Sequence, residues 1–262
     1  MRYDVVIIGG GAIGACVAYY LRTHRTPCTV AVIERDPAYT LASTPRASGG
    51  VRRLFSLPEN IALSQYSIGF FEEFETRMAV AGEAARIGFK KGGYLFIVPP
   101  AAVATLAENF ETQRRYGVNV LWLEPAALQS RFPSMRVADL GAGVYSPDDG
   151  WLDPHSVLQG FRRKARDLGA EFVADEAVAI DAERGVVRAV RLKSGHRIET
   201  GAVINAAGAW AKEVCAMVGM RVPIEPMRRY EHYFECTAAI EPLPYVKDPN
   251  RLAFRPEGKG YS

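Results

Sequence analysis

Three glycines near the start of the sequence, Gly9, Gly11 and Gly14, have the spacing G-x-G-x-x-G. The first glycine allows a tight turn, the second lets the backbone approach a pyrophosphate, and the third permits close packing of a helix. Ala12 and Ile13 lie between the second and third glycines, where the free N–H groups and positive dipole end of a helix attract phosphate. The spacing therefore predicts a dinucleotide site.

A carboxylate, Glu34, follows these glycines at the distance that ribose recognition requires. It ends the apolar run CTVAVIE, about 20 residues beyond Gly14. A carboxylate at the end of the second strand accepts hydrogen bonds from a ribose diol and repels a 2′-phosphate. We therefore expect FAD or NAD rather than NADP, and we assign the adjacent Arg35 to the same site.

The elements that must position these residues are a strand and a helix. Residues 3–8 are rich in Val and Ile and contain no helix cap, which is typical of a strand buried on both faces of a parallel sheet. After Gly14, the residues Val17, Ala18 and Leu21 recur at helical spacing. The glycines thus lie between a strand and a helix, which is the context that gives the motif its meaning.

A long polar loop follows the second strand, where a nicotinamide enzyme usually begins its next crossover helix. Such a loop can wrap the isoalloxazine and ribityl parts of a flavin, so it favours FAD over NAD. An ordinary surface loop is the alternative interpretation. The candidate cofactor contacts in this loop are Ser43, Thr44, Ser48, Gly49 and Gly50.

Several segments together resemble the FAD-dependent D-amino acid oxidase family, especially its sarcosine oxidase and dimethylglycine dehydrogenase branch. They are DVVIIGGGAIGACVAYYL, VIERD and STPRASGGVRRLFSLPEN, followed by DGWLDPHSVLQGFRRKARDLGAEF and AVINAAGAWA. The resemblance implies FAD, oxidation of an amine or amino acid, and a two-domain fold. Residues 35–60 contain no His and no Cys, so we expect noncovalent FAD rather than the histidine linkage of some relatives.

The segment AVINAAGAWA resembles the family's strand and small-residue turn beneath the FAD, which assigns Ala207, Gly208 and Trp210 to the cofactor. From the residues alone, Ala207 and Gly208 remove side-chain bulk where the backbone passes close to something large. Tight packing of a helix on a sheet is the alternative explanation.

The expected fold is α/β, with a Rossmann-like FAD-binding domain built on a parallel sheet and a discontinuous substrate domain with a mixed sheet. We place the FAD-binding domain at residues 1–85 and 148–222, and the substrate domain at 86–147 and 223–262. The second domain is indicated by the strand KKGGYLFIVPP, a helix over 101–116 and an alternating strand over 228–237. Family members continue beyond FRPEGKGYS, so we expect the C-terminal part of this domain to be missing.

Four residues are candidates for the substrate side. The resemblance matches Arg52 to a family arginine that lies against the flavin beside the substrate. Tyr230 and His232 point to one face of the expected strand over 228–237, so we assign Arg52, Tyr230 and His232 to catalysis and substrate binding. Arg255 is a further substrate candidate, because a guanidinium can hold a carboxylate with two parallel hydrogen bonds. A surface arginine and a structural histidine are the alternatives.

Two helix starts are visible in the sequence. Ser56 and Glu59 have the S-x-x-E spacing of a capping box, with Pro58 in the first turn. Asp153 precedes Pro154, which is an N-cap followed by proline at the first helical position. Asp153 is therefore expected to be a structural cap.

Composition limits the partners. The 262 residues are 48% hydrophobic, and Lys+Arg 32 against Asp+Glu 29 gives a net charge of +3 with both signs scattered. This balance gives no electrostatic case for nucleic acid or membrane binding, and we expect a cytoplasmic protein. The four cysteines form no C-x-x-C pair and the four histidines lack metal-ligand spacing, so no metal is expected.

The leading hypothesis is an FAD-dependent oxidoreductase that oxidises an amine or amino acid of the N-methyl or D-amino acid type. A hydride is transferred to flavin N5, and oxygen or another electron acceptor takes the electrons onward. Three alternatives stay open: a flavin dehydrogenase for a hydroxy acid or glycerol phosphate, a flavin-binding assembly or interaction factor without turnover, and a NAD-linked dehydrogenase.

Overall fold

A computed structural model describes residues 1–26, 28–250 and 252–262. The chain divides into two compact units, each assembled from separate parts of the sequence. The first unit comprises Met1–Ala47, Phe74–Ile87 and Asp153–Arg229. The second unit comprises Ser48–Glu73, Gly88–Leu152 and Tyr230–Ser262. Residues 48–73, which we expected in the FAD-binding domain, group with the second unit.

The fold is mixed α/β, as expected. The strands are, in chain order, β1 (Arg2–Ile8), β2 (Val30–Glu34), β3 (Gly50–Val51), β4 (Tyr94–Val98), β5 (Leu121–Leu123), β6 (Ala142–Ser146), β7 (Gly150–Trp151), β8 (Glu171–Ala174), β9 (Ala177–Glu183), β10 (Val186–Leu192), β11 (Arg197–Asn205), β12 (Tyr245–Lys247), β13 (Ala253–Phe254), β14 (Pro256–Glu257) and β15 (Gly260–Tyr261). The α-helices are α1 (Ala12–Thr23), α2 (Pro58–Glu72), α3 (Phe74–Arg77), α4 (Val103–Arg115), α5 (Pro125–Arg131), α6 (Pro154–Asp167) and α7 (Ala211–Ala216).

The sheet of the first unit has the strand order β8-β2-β1-β11-β10-β9. Its first four strands are parallel, and β10 is antiparallel to both of its neighbours. The chain passes from β1 to β2 on one side and later returns to β11 on the other. Such a reversal of strand order opens a crevice at the carboxyl ends of the strands, where ligands bind in doubly wound sheets.

Alternate residues of β1 serve the two faces of this sheet. Ile7 packs with Ala18 of α1 and Ala165 of α6 on one face. On the other face, Ile8 packs in a cluster that contains Val214 of α7. Burial on both faces explains why β1 reads as a continuous apolar run.

The second unit is built around a sheet of order β13-β12-β4-β6-β5, with short ribbons β3-β7 and β14-β15. The rings of Tyr94 on β4 and Tyr245 on β12 stack with centroids 4.5 Å apart. As predicted, β4 ends at Val98 before two prolines, and α4 stops before Gly117, whose φ is +73°.

The strand predicted over residues 228–237 is wrong. Of this segment only Phe234 pairs, in an isolated antiparallel bridge with Tyr261. An alternating pattern does not form a strand unless a neighbouring strand satisfies its backbone N–H and C=O groups. Among the described residues, only Phe234 of this segment pairs with another strand residue. Tyr230 and His232 therefore do not share a strand face.

The two predicted helix starts have different outcomes. Asp153 caps α6, since its carboxylate accepts hydrogen bonds from the backbone N–H groups of His155 and Ser156, both at 3.1 Å. The capping box at Ser56 is wrong, because α2 begins at Pro58 with Leu57 as its N-cap and no side chain caps it. Across residues 1–26, 28–250 and 252–262, no helix has the length and apolar character needed to span a membrane.

Candidate functional site

A cavity of about 360 Å³ lies at the carboxyl ends of β1, β2, β8 and β11, entirely within the first unit. Eleven of the predicted cofactor residues line it: Gly9, Gly11, Ala12, Ile13, Glu34, Arg35, Ser43, Thr44, Ala207, Gly208 and Trp210. The structure thus brings together the glycine turn, the end of the second strand and the small-residue turn after β11. Their contact with a cofactor stays a prediction.

The three glycines are required for different reasons. Gly9 has a φ of +102°, and a Cβ there would lie 2.4 Å from the backbone oxygen of Ala206. A Cβ on Gly14 would lie 1.9 Å from the backbone oxygen of Gly9. A Cβ on Gly11 would meet only Thr44 Oγ1 at 3.6 Å, an ordinary contact. Gly9 and Gly14 therefore serve the packing of the turn, while Gly11 leaves space on the cavity side.

The N-terminus of α1 opens on the cavity. Gly11 is its N-cap and contributes no side-chain hydrogen bond, and the first intrahelical bond runs from Ala15 N–H to Gly11 O at 2.9 Å. Thr44 Oγ1 accepts a hydrogen bond from Ala12 N–H at 3.3 Å. First-turn N–H groups have no intrahelical acceptor, so this end of the helix suits a phosphate.

Glu34 is held in place by backbone donors. Its Oε2 accepts a hydrogen bond from Gly10 N–H at 2.7 Å, and its Oε1 accepts one from Asp36 N–H at 2.8 Å. An ionised carboxylate has about four acceptor positions, so each oxygen retains capacity for a further donor. Ribose hydroxyl groups are donors of the right kind.

The loop after β2 turns back toward the cavity around Asp36. The Asp36 carboxylate accepts hydrogen bonds from Thr40 Oγ1 at 2.7 Å and from Leu41 N–H at 3.1 Å. The hydrogen bond from Thr40 is the main cause that holds the pKa of Asp36 below its usual value, and the backbone donors add to it. This turn carries Ser43 and Thr44 to the cavity wall.

Arg35 and Trp210 form another part of the cavity wall. The Arg35 guanidinium lies 4.0 Å from the centroid of the Trp210 ring, and its Nη1 lies 3.4 Å from Oε1 of Glu176. Lys193 Nζ donates to Glu176 Oε2 at 2.9 Å. The pKa of Glu176 lies below its usual value. The hydrogen bond from Lys193 is the main cause, and the charges of Lys193 and Arg35 add to it.

Sequence reasoning missed part of the lining. The residues not predicted include Asp175, Glu176 and Ala177 after β8, and Glu213, Val214 and Met217 on or beside α7. The apolar run EFVA after Gly169 was the available signal, because a strand after a crossover helix returns parallel to its predecessor. In the structure, Asp175 N–H donates to Glu34 O at 3.2 Å, which places the end of β8 beside Glu34.

Ser48, Gly49 and Gly50 belong to the second unit and do not line this cavity. Ser48 Oγ and Tyr245 Oη are 2.7 Å apart, and a Cβ on Gly50 would lie 2.3 Å from the Tyr245 ring. Gly49 has a φ of +70°. These residues have packing roles inside the second unit, and their contact with a flavin stays a prediction.

Arg52 lies among aromatic rings of the second unit. Its guanidinium carbon is 4.6 Å from the Phe55 ring centroid and 5.5 Å from those of Tyr94 and Phe96. Its Nε is buried and has no hydrogen-bond partner among the described residues. Burial raises the pKa of Tyr94, and the nearby Arg52 charge opposes that rise. An unpartnered buried donor is costly, which suits a ligand-binding group better than a surface arginine.

The adjacent Arg53 has a structural role. The fully buried Asp149 accepts hydrogen bonds from Arg53 N–H at 2.8 Å and from Arg53 Nη1 at 3.0 Å. Burial raises the pKa of Asp149, and its hydrogen bonds and ion pair with Arg53 oppose the rise. This buried pair fixes the backbone directly after Arg52.

The other substrate candidates do not form a common site. Tyr230 is 77% exposed and His232 is exposed, so their contact with a substrate stays a prediction. Arg255 is buried, and its Nε donates to Ser48 O at 2.6 Å while its Nη1 donates to Pro256 O at 3.0 Å and pairs with Glu257. The guanidinium is therefore engaged internally, and the geometry does not support the predicted carboxylate anchor.

The doubly wound sheet, the glycine turn and the carboxylate of Glu34 at the end of β2 are typical of an α/β dinucleotide-binding protein. A family model described as "FAD dependent oxidoreductase" matches residues 4–261. The chain belongs to this family of FAD-dependent oxidoreductases, so the cofactor is FAD rather than NAD.

Curated relatives support this membership. The chain is 32% identical to FAD-dependent oxidoreductase domain-containing protein 1 of Bos taurus, across 99% of this chain and 60% of that protein. It is 27% identical to the mitochondrial dimethylglycine dehydrogenase of Homo sapiens, across 94% of this chain and 27% of that enzyme. The chain thus spans about 60% of the length of the first of these relatives.

Solved structures share the fold. The L-proline dehydrogenase from P. horikoshii superposes with a TM-score of 0.83 at 26% identity, covering 99% of this chain and 68% of that one. Glycine oxidase from Geobacillus kaustophilus gives a TM-score of 0.80 at 21% identity, covering 99% and 70%. The second likeness shows the fold alone.

Proposed function

We propose that this chain belongs to an enzyme that oxidises an amine or amino acid at a CH–NH or CH–NH2 bond. The observation that carries the proposal is Arg52, a cation among aromatic rings whose buried Nε lacks a partner among the described residues. The names of two similar proteins, dimethylglycine dehydrogenase and L-proline dehydrogenase, refer to substrates that carry both a carboxylate and a nitrogen. A guanidinium whose Nε has no partner among the described residues retains a donor for such a carboxylate.

The residues of the first unit fit the ADP half of FAD. The N-terminus of α1 takes the pyrophosphate across Gly11, and Glu34 takes the ribose hydroxyls. The α1 turn offers backbone donors without a side chain in the way, as the open position at Gly11 shows. We propose noncovalent binding. When bound, FAD supplies a two-electron acceptor that takes a hydride at N5.

The second unit supplies the substrate-binding residues in this proposal. Arg52 binds the substrate carboxylate, and the rings of Phe55, Tyr94 and Phe96 exclude water from that ion pair, which strengthens it. The substrate loses a hydride from carbon and a proton from nitrogen, which leaves an imine. Oxygen or another electron acceptor completes the turnover.

The test is anaerobic reduction of the FAD-loaded protein. The loss of flavin absorbance measures the reduction. N-methylglycine, proline, D-amino acids and 2-hydroxy acids are compared at equal concentration. Bleaching by an amine or amino acid supports the proposal. Bleaching by hydroxy acids alone overturns it in favour of a hydroxy-acid dehydrogenase, and bound FAD that no substrate reduces favours an interaction factor without turnover.

The role of Arg52 has a matched control. Arg52→Met removes the carboxylate anchor and is expected to slow flavin reduction about 100-fold, whereas Arg52→Lys restores part of the rate. Arg131 also lies over aromatic rings of the second unit, 4.6 Å from Tyr145 and 5.9 Å from Phe132. Equal slowing by Arg131→Met would show that the effect is structural.

The proposal also says which unit binds which molecule. We assign FAD to the first unit and the substrate to the second. A cytoplasmic location stays a prediction, since the word mitochondrial in a relative's name describes that relative. Fractionation of cells that express the protein tests the location.

A further inference from the structure

The cavity of the first unit contains Arg35, a residue type that is more typical of NADP sites than of FAD sites. Among the described residues that line it, Arg35 is the only cation. An arginine near the end of the second strand is the residue that accommodates a 2′-phosphate in NADP sites. The position of Arg35 directly after Glu34 would therefore admit a phosphorylated adenosine unless its guanidinium were already engaged.

Two neighbours engage it. One is the ring of Trp210, whose centroid lies 4.0 Å from the guanidinium carbon. The other is Glu176, whose Oε1 lies 3.4 Å from Arg35 Nη1. A planar guanidinium can stack on an indole and donate to a carboxylate at once, so both contacts are compatible. Together, the contacts with Trp210 and Glu176 fix the position of the Arg35 guanidinium in the cavity wall.

The backbone places Glu176 beside Arg35. Strand β8 runs parallel to β2 with Ala174 opposite Glu34, so the residues that follow each strand are neighbours. Lys193 N–H donates to Glu176 O at 2.8 Å, and Lys193 Nζ donates to Glu176 Oε2 at 2.9 Å. Each carboxylate oxygen of Glu176 therefore has its own cation, which orients Oε1 toward Arg35.

We propose that Glu176 determines the specificity of this cavity by withholding Arg35 from a 2′-phosphate. Glu34 repels the phosphate, and Glu176 engages Arg35, the one cation among the described lining residues, which would otherwise attract it. The cavity then selects adenosine whose ribose hydroxyls are free, and 2′-phosphorylated dinucleotides do not compete with FAD. The inference rests on the assignment of FAD to this cavity.

The experiment displaces FAD from the loaded protein with two analogues, ADP-ribose and 2′-phospho-ADP-ribose, which differ only in the phosphate. Release is followed by FAD fluorescence, so no turnover is needed. In Glu176→Gln, the preference for ADP-ribose is expected to fall about tenfold, the factor that one charge-assisted hydrogen bond to phosphate supplies. Exposed ion pairs contribute little to stability, so this variant is expected to fold.

Two controls separate the release of Arg35 from a general change of charge. Glu213→Gln also removes a carboxylate from the cavity lining, but among the described residues the ion pair of Arg35 is with Glu176 and not with Glu213. It is expected to leave the preference nearly unchanged. The double variant Glu176→Gln with Arg35→Ala is expected to lose the gain for the phosphorylated analogue.

Each other outcome overturns the inference. A preference that changes equally in Glu176→Gln and Glu213→Gln would show a charge effect alone. Equal weakening of both analogues in Glu176→Gln would make Glu176 a direct ligand contact. If ADP-ribose does not displace FAD from the unaltered protein, the cavity assignment fails as well, whereas displacement with an unchanged preference refutes the specificity role alone.

Discussion

At the scale of single residues, the glycines of the turn have two kinds of role. Two of them are needed for the packing of the protein, and one is proposed to leave space for the ligand. A Cβ on Gly9 or Gly14 would lie 2.4 or 1.9 Å from a backbone oxygen atom, so the chain itself excludes a side chain there. Gly11 has room for a Cβ within the protein and lines the cavity. One motif therefore contains two residues needed for packing and one whose missing side chain, in the proposed function, leaves space for a phosphate.

This difference predicts opposite effects of alanine. Gly14→Ala is expected to lower the free energy of unfolding by about 2 to 3 kcal/mol, because α1 must move away from Gly9. Gly11→Ala is expected to cost less than about 1 kcal/mol, as for an N-cap change, yet to abolish FAD binding. Urea unfolding measures the first effect and FAD titration the second.

The same two measurements, urea unfolding and FAD titration, also show which results would contradict this prediction. If Gly11→Ala loses as much stability as Gly14→Ala, its effect on FAD reflects misfolding. If it retains both stability and FAD, the backbone at Gly11 does not approach the phosphate.

At the scale of elements, a local sequence pattern predicts correctly when the element begins in register with it and needs no distant partner. Asp153 caps α6 because its acceptors and donors lie within three residues of one another. Ser56 has the same kind of pattern, but α2 starts two residues later at Pro58, out of register with the serine. The segment 228–237 alternates correctly and yet pairs only at Phe234, because a strand depends on a distant partner.

The two predicted cap positions, of which only Asp153 caps a helix, provide a test with its own control. Asp153→Ala is expected to lower the free energy of unfolding by about 1 kcal/mol, since two backbone donors of α6 lose their acceptor, and Asp153→Ser is expected to restore most of it. Ser56→Ala is expected to have no measurable effect. A loss at Ser56 equal to that at Asp153 would show that the serine caps α2 in solution.

At the scale of the whole molecule, the cavity is assembled from segments that are far apart in the sequence. Its walls come from the ends of β1 and β2, from residues 175–177 after β8, and from residues 206–217 after β11. Because parallel strands end on the same edge of a sheet, the strand order alone brings these segments together. A ligand in the cavity therefore joins four segments of the first unit and should stabilise that unit.

Ligand linkage makes this testable without turnover. At a concentration about 100 times its Kd, FAD is expected to stabilise the protein by about 2.7 kcal/mol, which raises Tm by about 5 to 10 °C. ADP is expected to raise Tm as well, because the cavity fits the ADP half, whereas FMN at the same concentration is not. Thermal unfolding monitored by circular dichroism gives each shift, with Gly11→Ala as the control that should show none.

An equal rise with FMN and no rise with ADP would contradict the assignment of the glycine turn to the pyrophosphate. A rise with ADP alone would locate the failure in the flavin end, which is a separate part of the proposal.

The sequence by itself determined the glycine turn, the position of Glu34 at the end of the second strand, the flanking strand and helix, and the cap at Asp153. Each depends on steric fit or hydrogen bonds within a short stretch, or on a strand pattern set by burial on both faces. Only the tertiary structure decided that Glu176 engages Arg35, that Arg255 is occupied by internal partners, and that residues 48–50 pack in the second unit. Those outcomes depend on which distant segment becomes a neighbour, and local spacing does not encode that choice.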